Sequence, residues 1–407
     1  MAATTRHETL KEVEAITKQL NAAVTEFVSN NDNASDDWDK AQRRTVIDAA
    51  QRILDTIRRP DDRWMHMAQV TAFYTAAQMF YEWEVFEIIP IEGSISYQDL
   101  AARTNTEEAL LRRTGGVLVA QGLLKQTGVD AISHTQRSLD YRRENATSHV
   151  FNMGWTNGVV AYARFSEYFK KYGRKEPQTV NHVPITFAYG RPELGFYEMM
   201  EQDPKWMNSF LKGMAHVSSE MPISGIYDFS WLVTEAEKDP NSDRAVLVDV
   251  GGGKGQAIAA IRREFPGLPI HRCVLEDLHE TLEAGKALHE PELAQVQRVA
   301  VDFHRAHVYW VRRCFHNYPD EVCKNMLRIL ADAMTQDSKI LVQEDILDNP
   351  PNQMAAFMDF MMIGFGGKQR TLENWSRLFE SVGLHISSVS TGNGPWKTLA
   401  VIEVVKK

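Results

Sequence analysis

The spacing of apolar residues divides the chain into a helical first half and a second half in which short apolar runs alternate with amphipathic stretches. Apolar side chains recur at helical spacing from about Leu10 to Val28, which predicts an amphipathic helix. A second helix is predicted over roughly Lys40 to Arg58, because Pro60 then ends the helical pattern. A helix pair with so little core of its own packs either on another subunit or on its own domain, and the pattern favours neither.

The rest of the first half is also predicted to be mostly helical. Polar residues 29–37 favour a loop, and the Met- and aromatic-rich stretch from Asp62 to Glu87 is predicted to be a long helical stretch. A short helix over Ser96–Thr104 and another carrying Leu110 to Leu124 precede the stretch Leu124 to Ser138, which suits a small β-hairpin. Two helices followed by a hairpin are typical of a winged-helix domain.

The second half has the alternation that is typical of an α/β sheet. Residues from His149 to Leu232 are helical and aromatic in pattern, and strands then alternate with helices from residue 245 to 406. The last two strands, His385–Thr391 and Leu399–Val405, are consistent with a reversed hairpin at the edge of the sheet. We therefore expect three segments, namely 1–150, 151–240 and 241–407.

The run from Ala245 to Gln256 is the centre of the second half. A short buried strand leads into glycines at 251, 252, 253 and 255 and then into a helix, which is the first unit of a nucleotide-binding sheet. The dinucleotide fingerprint fails, because its third glycine would fall on Gln256. Asp249 ends the strand, and its carboxylate would repel a pyrophosphate but attract a cationic amino-acid ligand. With a second acid ending the next strand, the turn favours S-adenosylmethionine (SAM).

Composition and charge narrow the function classes. The 407 residues, 43% apolar and 24% charged, can form two cores of ordinary size. A net charge of −9 argues against nucleic-acid or membrane partners, and the predicted recognition helix has only Arg112 and Arg113 as a basic cluster. The cysteines (Cys273, Cys314 and Cys323) lack metal-ligand spacing, which predicts reduced thiols and no metal. We found no apolar signal core or membrane-length segment, so we expect a cytoplasmic protein.

Four motifs carry a resemblance to a known family. They are Val248–Gly255 (VDVGGGKG), Glu276–Leu278 (EDL), Val311–Glu321 (VRRCFHNYPDE) and Gly366–Thr371 (GGKQRT). Together they resemble the SAM-dependent small-molecule O-methyltransferases of plants and fungi, and especially the fungal secondary-metabolism branch. The resemblance implies an α/β fold, in which a class I methyltransferase Rossmann-like sheet follows a mostly α-helical winged-helix dimerisation domain. It also implies SAM as cofactor, a small-molecule substrate and a homodimer.

The resemblance further implies roles for individual residues. Gly251 and Gly253 would approach the amino-acid part of SAM, and Asp277 would accept hydrogen bonds from the ribose hydroxyls. The other cofactor residues implied are Asp249, Leu278, Asp302, Phe303, Arg312 and Ser218. The implied general base is His316, which would be oriented by Glu344, with Asn317 and Gln369 beside it. The predicted substrate residues are Phe210, Met214, Trp155, Met358, Met361 and Met362, and for Phe210 and Met214 ordinary core packing is an equal alternative.

Three positions depart from the family pattern. Asn317 stands where the family has aspartate, and Gln369 stands where it has glutamate, so two negative charges are missing around His316. The loop after Asp302 is short, which weakens the inference that Asp302, Phe303 and Arg305 contact the cofactor. Methyl transfer to a hydroxyl of an aromatic or polyketide-like metabolite remains the favoured function. The alternatives are a SAM-bound dehydratase or pericyclase that transfers no methyl group, and a SAM-binding scaffold without turnover.

Overall fold

The computed structural model describes residues 3–29, 36–277, 279–286, 291–300, 305–393 and 396–407. The chain divides into two compact units, Met1–Ser148 and His149–Lys407. Of the polar residues 29–37, predicted as a loop, residues 30–35 lie outside the described residues. Ser29, Asp36 and Asp37 are helical, so the prediction was wrong at both ends.

The first unit is mostly helical, as its apolar spacing predicts. Its helices are α1 (Ala3–Ser29), α2 (Asp36–Ile57), α3 (Pro60–Glu82), α4 (Val85–Ile88), α5 (Tyr97–Thr104), α6 (Glu108–Ala120) and α7 (Gln136–Leu139), and α8 (Ala146–Met153) begins in it. Strands β1 (Ile95–Ser96), β2 (Leu124–Thr127) and β3 (Ala131–His134) form an antiparallel sheet in the order β1-β3-β2. The two helices and the hairpin thus occur where the sequence predicts them.

A short break interrupts the helical stretch predicted from Asp62 to Glu87. Helix α3 ends at Glu82, and α4 begins at Val85. Glu84 between them has a φ of 58°, a left-handed conformation that interrupts the helical hydrogen bonds. Nothing in the spacing of apolar residues marks this break, since the apolar residues continue through it.

The second unit is built on a seven-stranded sheet in the order β6-β5-β4-β7-β8-β10-β9. Its strands are β4 (Ala245–Val250), β5 (Cys273–Glu276), β6 (Gln297–Val299), β7 (Ala306–Arg312), β8 (Lys339–Asp345), β9 (Leu384–Thr391) and β10 (Leu399–Lys406). The first five strands are parallel, and β10 runs antiparallel to both β8 and β9. The reversed hairpin predicted at the sheet edge is therefore confirmed.

Helices cover both faces of this sheet. The helices of the second unit after α8 are α9 (Val160–Tyr172), α10 (Pro184–Ala188), α11 (Phe196–Glu201), α12 (Pro204–Ser219), α13 (Ser230–Lys238), α14 (Gln256–Glu264), α15 (His279–Lys286), α16 (Asp320–Ala333), α17 (Gln353–Ile363) and α18 (Leu372–Glu380). One apolar core joins α13 and α14 to the sheet through Leu247 and Trp310. A second core joins α16 and α18 to it through Val248, Tyr309 and Trp375.

The strand order fixes where a ligand would bind. The chain runs outward from β4 through β5 to β6 and then returns to β7, on the other side of β4. The direction of winding reverses between β4 and β7, and ligands of open α/β sheets bind beside the carboxyl ends of strands at such a point. Asp249 is the penultimate residue of β4, the glycine turn follows that strand, and His316 follows β7, so all three lie at this edge.

Candidate functional site

The glycine turn after β4 is held against the end of β5. The amides of Gly251 and Gly252 both donate to the carbonyl of Glu276, at 2.8 and 3.3 Å. Gly251 and Gly253 have φ values of 67° and 62°, which favour glycine over residues with a Cβ. A Cβ on Gly252 would lie 2.4 Å from the Asp249 carboxyl group, so the turn closes directly over that carboxyl.

Asp249 is buried beneath the turn with one oxygen unsatisfied. The residue is 1% exposed, and its Oδ2 has no hydrogen-bond partner among the described residues. Burial raises the pKa of Asp249 to about 7, although the nearby Arg312 guanidinium acts in the opposite direction. The Asp277 carboxylate also raises this pKa, and its own Oδ2 accepts the Gly253 amide at 2.8 Å. A buried acid with an unused oxygen, facing a second acid, suits a ligand that carries positive charge and hydroxyls.

Arg312 links the end of β7 to the chain that follows α12. Its Nε donates to Gln343 Oε1 at 2.9 Å, and Gln343 Nε2 donates to the Pro222 carbonyl at 3.1 Å. Burial and, to a smaller extent, the neighbouring Arg313 charge lower the pKa of Arg312 to about 10. Ser218 lies three residues before Met221, whose amide donates to the Ser218 carbonyl at 3.3 Å. This chain of contacts ties the segment that carries Ser218 to the strand end.

His316 and Glu344 form a buried hydrogen-bonded pair. The imidazole Nδ1 lies 2.5 Å from Glu344 Oε2, and the His316 amide donates to Glu344 Oε1 at 3.3 Å. His316 is 7% exposed and Glu344 is fully buried. Burial alone would raise the pKa of Glu344, but the His316 and Arg313 charges and the hydrogen bonds from His316 together lower it. The ring is therefore oriented through Nδ1, and Nε2 makes no hydrogen bond to any residue that the structure describes.

The two residues that depart from the family pattern both lie close to His316 in the chain or in space. Asn317 belongs to the same single turn of 3₁₀-helix, Phe315–Asn317. Gln369 is buried, and its main-chain amide donates to Asp359 Oδ1 at 2.8 Å. It follows Lys368, whose amide donates to the His316 carbonyl.

The predicted substrate residues lie on three helical segments of the second unit. Phe210 and Met214 lie on α12, while Met358, Met361 and Met362 lie on α17. Trp155 lies in a turn of π-helix, Gly154–Val159, where the sequence predicts ordinary helix. Met362 is buried, whereas the other five are only partly buried. Leu278, Asp302 and Phe303, predicted to bind the cofactor, lie outside the described residues.

Tyr197 connects the α12 aromatic residues to the strand ends, and sequence reasoning missed it. Its ring centroid lies 6.3 Å from that of Phe210 and 5.2 Å from that of Phe196. Although 39% of the Tyr197 residue is exposed, burial raises the pKa of its phenol to about 12, and Cys314 and Asp277 contribute to this rise. Tyr318 is affected by the same neighbours, as burial first and then Cys314, Tyr197 and Asp277 raise its pKa. Two phenols therefore lie near Asp277, the acid that accepts the Gly253 amide.

A cavity of about 1030 Å³ opens on the second unit. Its lining includes Lys170, Asp359, Gly367 and Gln369, but not Asp249, Asp277 or His316. The segment whose main chain contacts the His316 carbonyl therefore also borders this cavity.

A family model described as an O-methyltransferase domain matches residues 173–385. The curated methyltransferase cfoD of Aspergillus candidus is 34% identical over 396 residues, which cover 94% of this chain and 97% of the relative. The chain belongs to this methyltransferase family. As a member, it uses SAM as its cofactor, and the predicted α/β fold with a Rossmann-like sheet is confirmed.

Solved structures support the fold over nearly the whole length. A crystal structure of OxaC in complex with SAH and oxaline aligns with a TM-score of 0.83 at 21% identity, covering 98% of this chain and 100% of that chain. A structure described as "A Pericyclic Reaction enzyme" aligns with a TM-score of 0.74 at 16% identity, covering 98% and 100% respectively. At these identities the likeness concerns the fold alone.

Among the described residues, no helix combines the length and apolar character needed to cross a bilayer. Within the same part of the chain, His, Cys, Asp and Glu side chains form no group of three or more that could hold a metal ion.

Proposed function

We propose that this chain transfers a methyl group from SAM to a hydroxyl of an aromatic or polyketide-like small molecule, with His316 as general base. The observation that carries the proposal is the His316–Glu344 pair at the carboxyl edge of the sheet, beside the glycine turn. Glu344 occupies Nδ1 and leaves Nε2 for the hydroxyl of the acceptor.

In the proposed reaction, the side chains of the protein need to carry out a single proton transfer. SAM supplies an electrophilic methyl group, and an acceptor hydroxyl becomes a better nucleophile as its proton leaves. His316 would take that proton at Nε2, and the Glu344 carboxylate would stabilise the resulting imidazolium through Nδ1. General-base catalysis of this kind contributes about 10²–10⁴-fold, and the rest would come from holding the two reactants together.

The residues around the turn would orient the cofactor. Asp249 and Asp277 would face its positive charge and its ribose hydroxyls, with Gly251 and Gly253 providing close main-chain approach. Arg312 and Ser218 would border the same crevice. Leu278, Asp302 and Phe303 keep the roles that the resemblance implies. Phe210, Met214, Trp155 and the α17 methionines, with Tyr197 added, would form the substrate wall.

A homodimer is part of this proposal. Helices α1 to α3 expose several large apolar side chains, namely Leu10, Val28, Ile47, Ile57, Trp64, Met65 and Met67. Exposed apolar residues on adjacent helices are typical of a protein interface. We therefore propose that α1 to α3 pack on a second copy of the chain, in the cytoplasm.

The test uses purified protein, SAM and a panel of phenols and enolised 1,3-dicarbonyl compounds, with S-adenosylhomocysteine as the measured product. We expect His316→Ala to lower turnover by about 10²–10⁴-fold without changing SAM affinity measured by calorimetry. The exposed His271, changed to alanine, serves as the matched control. Full turnover by His316→Ala would remove the base assignment.

A second candidate is a SAM-bound cyclase or dehydratase. Asn317 and Gln369 favour it, because both replace carboxylates of the family pattern around His316. A bound positive charge could then stabilise a polarised transition state without methyl transfer. Substrate consumption without S-adenosylhomocysteine would select this candidate, and SAM binding without any turnover would select a scaffold.

A further inference from the structure

The turn that carries His316 is held from behind by the buried side chain of Arg370. This side chain is 1% exposed. Its Nη1 donates to the Phe315 carbonyl at 3.1 Å, and its Nη2 donates to the Tyr318 carbonyl at 2.9 Å. The guanidinium therefore spans the turn, bonding one carbonyl before His316 and one after it.

Asp320 fixes the guanidinium itself. Its Oδ1 accepts from Arg370 Nε at 3.0 Å and from Nη2 at 2.8 Å, while its Oδ2 lies 2.9 Å from Lys368 Nζ. The indole of Trp375 supports the guanidinium from one side, with 5.1 Å between Cζ and the ring centroid. Each polar contact has a charge on at least one partner, so these are hydrogen bonds of the stronger kind.

The main chain of the same segment also lies against the turn. The Lys368 amide donates to the His316 carbonyl at 2.9 Å. A Cβ on Gly367 would lie 2.0 Å from that carbonyl oxygen, so only glycine allows this approach. The segment Gly367–Arg370 thus donates hydrogen bonds to three carbonyls of the turn, those of Phe315, His316 and Tyr318. Glu344, by contrast, holds the imidazole ring.

We propose that Arg370, locked by Asp320, is a positioning residue that sets the location of His316 relative to the acceptor hydroxyl. This inference rests on the proposed base role of His316. Glu344 would determine which way the ring faces, and Arg370 would determine where the ring is. A displacement of about 1 Å in a reacting group can cost 10²-fold in rate, so the second contribution is as necessary as the first.

Lysine cannot replace arginine in this role. Arg370 uses its fork of donors to reach Phe315, Tyr318 and Asp320 at once, whereas an ammonium group is a point charge on a flexible stem. Arg370→Lys would keep the charge pair with Asp320 but lose the span across the turn. The variant therefore separates loss of position from loss of a buried charge.

The first measurement is hydrogen–deuterium exchange of the full chain saturated with SAM. We expect Arg370→Lys to speed amide exchange in the peptide covering residues 313–320 by at least about 10-fold, because fewer contacts oppose local opening. SAM affinity by calorimetry should stay within about 2-fold, since the glycine turn is held by other contacts. The control is Arg377→Lys, an exposed arginine 3.8 Å from Glu373 that should leave exchange unchanged.

The second measurement is turnover of the best acceptor from the panel of phenols and enols, in the wild type and in the His316→Ala background. We expect Arg370→Lys to lower kcat by about 10–100-fold alone, and to lower it little further when His316 is already alanine. The downfield Nδ1 proton signal of His316, followed by NMR, should shift or broaden in Arg370→Lys. If that variant does not fold, Asp320→Asn tests the same contact more gently.

Two results would overturn the proposal. One is unchanged exchange and unchanged kcat in a folded Arg370→Lys chain. The other is an equal loss of kcat with and without His316, because Arg370 would then act by another route. The base assignment fails separately, if His316→Ala keeps full turnover while Arg370→Lys still loosens residues 313–320.

Discussion

Asp249 combines burial, an unsatisfied oxygen and a pKa of about 7, a combination that a structural acid rarely keeps. A cationic ligand beside it would favour its ionised form and so lower this pKa. Binding of SAM should then release a proton wherever Asp249 is still protonated. We therefore propose that Asp249 makes the cofactor affinity depend on pH.

We predict that SAM affinity rises as the pH increases from 5.5 to 8. If only the carboxylate form binds, the affinity should change by roughly 10–30-fold over this range. Calorimetry in buffers of different ionisation enthalpy should detect close to one proton released per SAM below pH 6. Asp249→Asn should bind more weakly and show no such pH dependence.

The same group affects stability in the opposite direction. The folded-state pKa of about 7 exceeds the ordinary value near 3.9, so folding takes up a proton between these values. The free energy of unfolding of the SAM-free protein should therefore decrease as pH rises through this window, by on the order of 2–4 kcal/mol. We predict that Asp249→Asn is the more stable chain at pH 8. Equal melting temperatures at pH 8 would contradict this.

Glu344 permits a sharper test than removal of His316 itself. Glu344→Gln keeps an acceptor for the Nδ1 proton but removes the charge, which weakens the bond by about 1–2 kcal/mol. We predict that kcat decreases by roughly 5–30-fold, while the affinity for SAM is unchanged. Steady-state kinetics with both substrates varied would separate the two quantities. An unaltered kcat would mean that the carboxylate charge takes no part in the reaction.

At the scale of elements, the strand, glycine turn and helix act as one unit. The turn has its shape because three successive glycines let it fold back over Asp249 and reach the Glu276 carbonyl. A single methyl group is enough to prevent this, since Gly252 has both Asp249 and Leu275 within 2.6 Å of a Cβ position.

We predict that Gly252→Ala lowers the free energy of unfolding by about 1–3 kcal/mol and abolishes measurable SAM binding. Gly116→Ala is the control, because a Cβ there meets nothing within 4 Å and α6 should tolerate alanine well. Thermal melting and calorimetry of the two variants would check the prediction. Normal SAM affinity in Gly252→Ala would show that the turn can relax.

The elements that sequence reasoning located are those with a local signal. The alternation of apolar residues gave the strands, and the glycines after Val250 gave the turn, since both depend on neighbours in the chain. The break of α3 at Glu84 and the π-helix at Trp155 have no such signal. Arg370 and Tyr197 were missed for a related reason. Arg370 acts on partners 50 to 55 positions away, which only tertiary packing brings together.

At the scale of the whole molecule, the exposed apolar side chains of α3 lead to a prediction about the oligomeric state. We predict that replacing Trp64 and Met67 with glutamate shifts the chain from dimer to monomer, because both residues are largely exposed and would be buried by a partner. Light scattering coupled to size exclusion would give the mass. Val129→Glu is the control, as this residue lies alone in the β2–β3 turn at 81% exposure. A monomeric wild type would remove the dimer from the proposal.

Strand β10 is made after β9 but lies between β9 and β8. Among the described strands, β9 pairs with β10 alone, and Ala400 of β10 pairs with Glu344 of β8. When the growing polypeptide has left the ribosome only as far as β9, the strand with which β9 pairs has therefore not yet been made. Glu344, the hydrogen-bond partner of His316, lies on β8, which pairs with β7 and β10. The second of these neighbouring strands forms only after residues 399–406 have been synthesised.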